Sequence, residues 1–86
     1  MTIKKELIRR EIAGEVILVP VGKTALENNG LFTLNELGGF LWDLLPQAES
    51  ELDLLKAVLD EYEVSEAEAL EEIREFLNQL TKLGIL

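Results

Sequence analysis

The stretch Leu31-Phe32-Thr33-Leu34-Asn35-Glu36-Leu37-Gly38-Gly39-Phe40-Leu41-Trp42 decides the fold, because the spacing of its apolar residues changes midway. Leu31 to Leu34 reads as a short strand. From Asn35 onward the apolar period moves from about two residues to about 3.6, as Leu37, Phe40, Leu41, Leu44 and Leu45 show. A helix therefore starts here, capped by Thr33 or Asn35, with Thr33 to Glu36 matching a capping box, and it closes at Pro46. Gly38 and Gly39 inside it should each cost roughly 1 kcal/mol relative to alanine. Close approach of the backbone to a sheet is the expected compensation, with a hinge as the alternative.

Upstream, the chain reads as a hairpin. Leu7 to Ile12 mixes apolar and charged residues as an edge strand does, Ala13-Gly14 supplies a turn, and Glu15 to Pro20 is rich in β-branched residues. Pro20 and Gly22 end the second strand. Lys23 to Glu27 reads as irregular, and Asn28-Asn29-Gly30 as a turn, since all three residues tolerate positive φ. Downstream, a second helix starts at an N-cap, Ser50, with Asp53 three residues on, and runs to Tyr62. The third opens on the capping box Ser65 to Glu68 and continues through Leu70, Ile73, Phe76, Leu77, Leu80 and Leu83 to Gly84, a C-cap. Ile85 and Leu86 should fold back onto the core. No repeat, linker or low-complexity segment interrupts this order.

With 86 residues the chain has room for one domain and one core. It is 48% hydrophobic, enough to offset chain entropy, and has no cysteine, which favours a reducing cytoplasm over secretion. No apolar segment follows Met1 to Lys5 as a signal peptide requires, and Val16 to Val21, the longest apolar run, is too short to span a bilayer. Charge is unevenly spread. Residues 1–34 hold five bases and four acids, net +1, whereas residues 35–86 hold Lys56, Arg74 and Lys82 against thirteen acids, net −10. Such a surface repels phosphate backbones and anionic lipid and suits a basic peptide or protein.

Chemistry is scarce. Histidine and cysteine are absent, which removes the usual general base near neutral pH, the commonest metal ligand and the best nucleophile. Glu68, Glu71, Glu72 and Glu75 share one face of the third helix; a cation site or an acid pair is conceivable, but a solvated face opposite the leucine stripe is the ordinary meaning. Gly14, Gly22 and Gly30 are isolated and form no phosphate loop. Arg9-Arg10 reads as a solvated strand face, with docking to an acidic partner as its alternative, and Trp42 and Tyr62 as core or near-core residues. An acyl carrier would need a serine in an Asp-Ser-Leu setting, and neither Ser50 nor Ser65 has one. No catalytic residue, metal ligand or cofactor is expected.

The element list is α+β, three N-terminal strands followed by three helices, as in a winged helix-turn-helix domain with its strands first. A DNA-reading version would present basic side chains, and the third helix is acidic instead. Particular residues carry a family resemblance: Arg9 to Glu15, Leu31 to Trp42, Glu61 to Ser65, Phe76 to Leu80, and Leu83 to Leu86, most specifically the junction Leu34-Asn35-Glu36-Leu37-Gly38. In these the chain resembles the pyrroloquinoline quinone biosynthesis protein D (PqqD) family across nearly its whole length. Val21 to Gly30 looks longer than in the protein that names the family, which implies a different peptide product.

The resemblance implies a small domain that captures the leader segment of a ribosomally made precursor peptide for a modifying enzyme, often a radical S-adenosylmethionine enzyme. It implies binding by strand addition along Leu31, Phe32, Thr33 and Leu34, with a helix wall drawn from Leu70, Ile73, Arg74, Leu77, Asn78 and Thr81. Neither nucleic acid nor membrane is an expected partner. A winged-helix module for another protein or DNA is the competing expectation, and a monomer or a strand-swapped homodimer are both open because the third strand offers an edge.

Overall fold

The computed structural model describes residues 1–27 and 30–86. Alternation builds the sheet. β1 (Leu7–Ile12) pairs antiparallel with β2 (Glu15–Pro20) from Leu7↔Pro20 to Ile12↔Glu15, and β3 (Phe32–Leu34) pairs antiparallel with the other side of β2. The sheet order is β1-β2-β3. Ala13 (φ +51°) and Gly14 (φ +82°) make the hairpin turn, both in the left-handed region that matches the twist of paired strands. Val16 and Leu18 of β2 point inward and are buried, with Phe32 and Leu34 of β3 beside them. Ile8, Arg10, Ile12 and Thr33 face out and are exposed.

The stretch expected to be irregular holds a short helix, α1 (Gly22–Glu27). Six residues cannot hold a helix by local hydrogen bonds alone. The chain's start holds it instead: the Thr24 hydroxyl is buried and accepts from the Glu6 amide at 2.9 Å, and the Val21 amide donates to the Glu6 carbonyl at 3.0 Å. The α+β expectation holds, with four helices among the described residues, one of them set between β2 and β3. Of the expected turn Asn28-Asn29-Gly30, Asn28 and Asn29 lie outside the described residues.

Three longer helices follow: α2 (Glu36–Leu44), α3 (Glu51–Glu61) and α4 (Glu66–Lys82). Asn35, rather than Thr33, caps α2, its Oδ1 accepting from the Gly38 amide at 2.7 Å, because Thr33 is held in β3 by its pairing with Ile17. Ser65 caps α4, accepting from the Glu68 amide at 3.1 Å. Ser50 stands at the N-cap position of α3, but its hydroxyl accepts no capping bond; Asp53 reaches back to accept from the Glu49 amide at 2.9 Å. At the far end of α4, Gly84 turns left-handed (φ +76°), the Ile85 amide returns to the Leu80 carbonyl at 2.9 Å, and Ile85 is fully buried.

The core joins sheet to helices through Leu18, Leu41, Leu45, Leu54, Val58, Ile73 and Ile85, with Trp42 against them. The paired glycines have the expected packing reason. A Cβ on Gly39 would lie 2.6 Å from Val16 Cγ2, and one on Gly38 would lie 3.2 Å from Leu34 Cβ. Small residues here let α2 rest directly on the sheet. Arg9 and Arg10 are both exposed, as a solvated strand face would be, and the Arg9 Nε lies 2.9 Å from Asp43 Oδ1, a surface ion pair between β1 and α2.

Candidate functional site

β3 is three residues long and pairs on one side only, so its second edge has no strand partner among the described residues. Backbone groups on such an edge are ready to pair with another chain. Beside that edge runs a groove. Its floor is Leu37, Gly38 and Leu41 of α2, one side is Thr33, Leu34 and Asn35, and the other is Glu72, Glu75, Phe76 and Gln79 of α4. It holds about 160 Å³. It stays open because α4 packs chiefly on α3 while β3 rests on β2 and α2, so strand and helix face each other with little direct packing.

Of the residues nominated from sequence, the structure brings Thr33 and Leu34 to this groove, with Phe32 half-buried in the same strand. Leu31 precedes β3 and is 62% exposed. The six nominated α4 positions lie outside the groove lining. Ile73 is fully buried in the core, and Leu70 and Leu77 pack half-buried against it. Arg74 turns toward α3, its Nε 3.4 Å from Glu51 Oε1. Asn78 is exposed, and the Thr81 hydroxyl is occupied in donating to the Leu77 carbonyl at 2.8 Å.

The residues that do line the groove, 72, 75, 76 and 79, follow the i, i+3, i+4, i+7 spacing of a single helix stripe. At about 100° per residue this stripe is about half a turn away from the nominated one. Phe76 was the available signal, an aromatic at one margin of the leucine stripe. The glutamates are exposed, as a solvated face would be, but Glu72 and Glu75 wall the groove. Among the described residues no group of His, Cys, Asp and Glu has the geometry of a metal site.

A second pocket of about 310 Å³ opens next to the groove, between α2, the end of α3 and the first turns of α4. Tyr62 lines it, half-buried and edge-on to Phe40 with ring centroids 5.4 Å apart and planes at 86°. Desolvation raises the Tyr62 phenol above its ordinary value of 10.0, and the nearby carboxylates of Glu36 and Glu61 add to the effect. No helix among the described residues is long and apolar enough to cross a membrane.

These features define a small α+β domain with an open groove between an edge strand and its last helix. The fold is shared by a solved structure, "TbiB1 in Complex with the TbiA(beta) Leader Peptide", at a TM-score of 0.77 and 24% identity, covering 100% of this chain and 94% of that one. The family model for coenzyme PQQ synthesis protein D (PqqD) matches residues 15–86, and the chain belongs to that family. A comparison with curated proteins finds no match. The matched region starts at β2, so β1 lies ahead of it, and the likeness to TbiB1 extends over β1 as well.

Proposed function

We propose that this protein is a non-catalytic adaptor that binds the leader segment of a ribosomally made precursor peptide and presents it to a modifying enzyme. The observation that carries the reading is the unpaired edge of β3 facing an open groove walled by α4. An extended peptide added at Leu31 to Leu34 would gain backbone hydrogen bonds from the edge and side-chain contacts from the groove floor. Membership of the PqqD family supports the reading, as does the shared fold of TbiB1, which is described in complex with a leader peptide. The helix wall of the proposed site is Glu72, Glu75, Phe76 and Gln79. The absence of histidine and cysteine accords with a binding role, and the absence of cysteine with a reducing cytoplasm.

The partner enzyme is proposed from family resemblance to be a radical S-adenosylmethionine enzyme. A DNA-binding role is disfavoured by the acidic side chains of α4. Titrating ¹⁵N-labelled protein with synthetic candidate leader peptides tests the reading. Amide shifts should concentrate at Leu31 to Leu34 and at residues 72–79. Shifts confined to other surfaces with every cognate candidate would sink it.

A further inference from the structure

The pocket beside the groove has a composition of its own. Leu37, Val58, Tyr62 and Val64 give it an apolar interior, and Glu68, Glu71 and Glu72 bring three carboxylates to one side. Leu37 and Glu72 also line the groove, so the two cavities are neighbours. Among the described residues the ion pairs are Lys5–Glu27, Arg9–Glu11, Arg9–Asp43 and Arg74–Glu51. None of the three pocket carboxylates takes part in one.

An apolar cavity with unneutralised acids at its mouth matches one side-chain type. Lysine and arginine carry a hydrocarbon stem that packs on apolar surface and a cation that stays at the polar rim. A wholly apolar side chain would gain nothing from the carboxylates, and an acidic one would be repelled. Tyr62 adds an aromatic ring to the lining, a group that attracts cations. We infer that this pocket selects a lysine or arginine of the bound peptide, at a fixed distance beyond the segment paired with β3. This rests on the peptide-binding reading above and narrows it, since strand addition alone carries no charge preference.

The test uses a displayed random-peptide library selected on the wild-type protein. Selected peptides are then mapped by amide shifts and measured by fluorescence anisotropy. Peptides that move Leu31 to Leu34 should share a basic residue at a constant offset from the paired segment. Replacing that residue by norleucine should weaken binding about threefold to fivefold, as should the triple variant E68Q/E71Q/E72Q. On the triple variant the norleucine replacement should then make no further difference. Glu66→Gln, on the same helix but outside the pocket, should bind as wild type. All three glutamates are exposed, and circular dichroism of the triple variant checks that the fold is kept. A charge exchange, Glu71→Lys against a peptide with glutamate at the selected position, should restore part of the loss. Peptides that move Leu31 to Leu34 yet share no basic position, or bind the triple variant equally well, would overturn the inference and leave strand addition standing. Selected peptides that leave Leu31 to Leu34 unmoved would overturn both.

Discussion

Gly39 shows how one missing methyl group positions the groove. Its helix propensity cost is about 1 kcal/mol, yet a Cβ would sit 2.6 Å from Val16 Cγ2 in a buried contact. Gly39→Ala should therefore destabilise the protein by about 1–3 kcal/mol despite the better propensity, read by urea unfolding. Adding Val16→Ala should recover part of the loss, because the two changes share one contact. This residue was legible in the sequence: a glycine pair inside a helical pattern needs a packing reason, and the sheet supplies it. Tyr62 makes a separate prediction. Its phenol is raised by desolvation first and then by Glu36 and Glu61. The unfolded chain therefore loses the proton at lower pH than the folded one, so stability present below pH 10 falls as pH rises through the folded value. The chain has one tyrosine, so absorbance of the phenolate reports it alone. In Tyr62→Phe this component of the alkaline loss should vanish from pH-dependent denaturation curves.

For whole elements, the period of hydrophobicity was enough to place β1, β2, α2, α3 and α4, because each buries a face with its own regular spacing. It could not orient α4. Leu70, Ile73, Phe76, Leu77 and Leu80 form an apolar band wide enough to have two margins, and nothing in that band says which margin meets β3. Tertiary packing decides: α3 covers the Leu70 and Leu77 side, where Arg74 pairs with Glu51, and leaves the Phe76 side facing the strand. Gln79 and Asn78 are neighbours and both exposed, but only Gln79 lines the groove. Gln79→Trp should thus weaken peptide binding at least about tenfold by filling the groove, while Asn78→Trp should change it little, with thermal stability of both within about 0.5 kcal/mol of wild type. Equal effects on peptide affinity would refute the assigned wall. The short helix α1 was illegible for another reason. It depends on Glu6 and Thr24, eighteen positions apart, and on no local pattern.

Across the whole molecule, charge and edge act together. The acidic second half is concentrated in the elements that line both cavities, while next to them β3 keeps one edge with no strand partner among the described residues. An unpaired edge left without a ligand is a place for two copies to meet. If β3 also mediates self-association, light scattering at rising protein concentration should show dimer, and a saturating leader peptide should return it to monomer. The acidic surface opposes that meeting, so dimer should increase with added salt.

The Lys4 amide donates to the Ile85 carbonyl at 2.7 Å, which brings the segment before β1 beside the segment after α4. The fold is therefore close to a closed loop in space. A short linker joining the two ends, with new ends opened between α2 and α3, should give a permuted chain that folds with its strands and groove unchanged. In that permutant the order of synthesis would be inverted, helices α3 and α4 emerging before the sheet. Comparing its refolding rate with that of the natural order would show whether the sheet must form first to organise the helices.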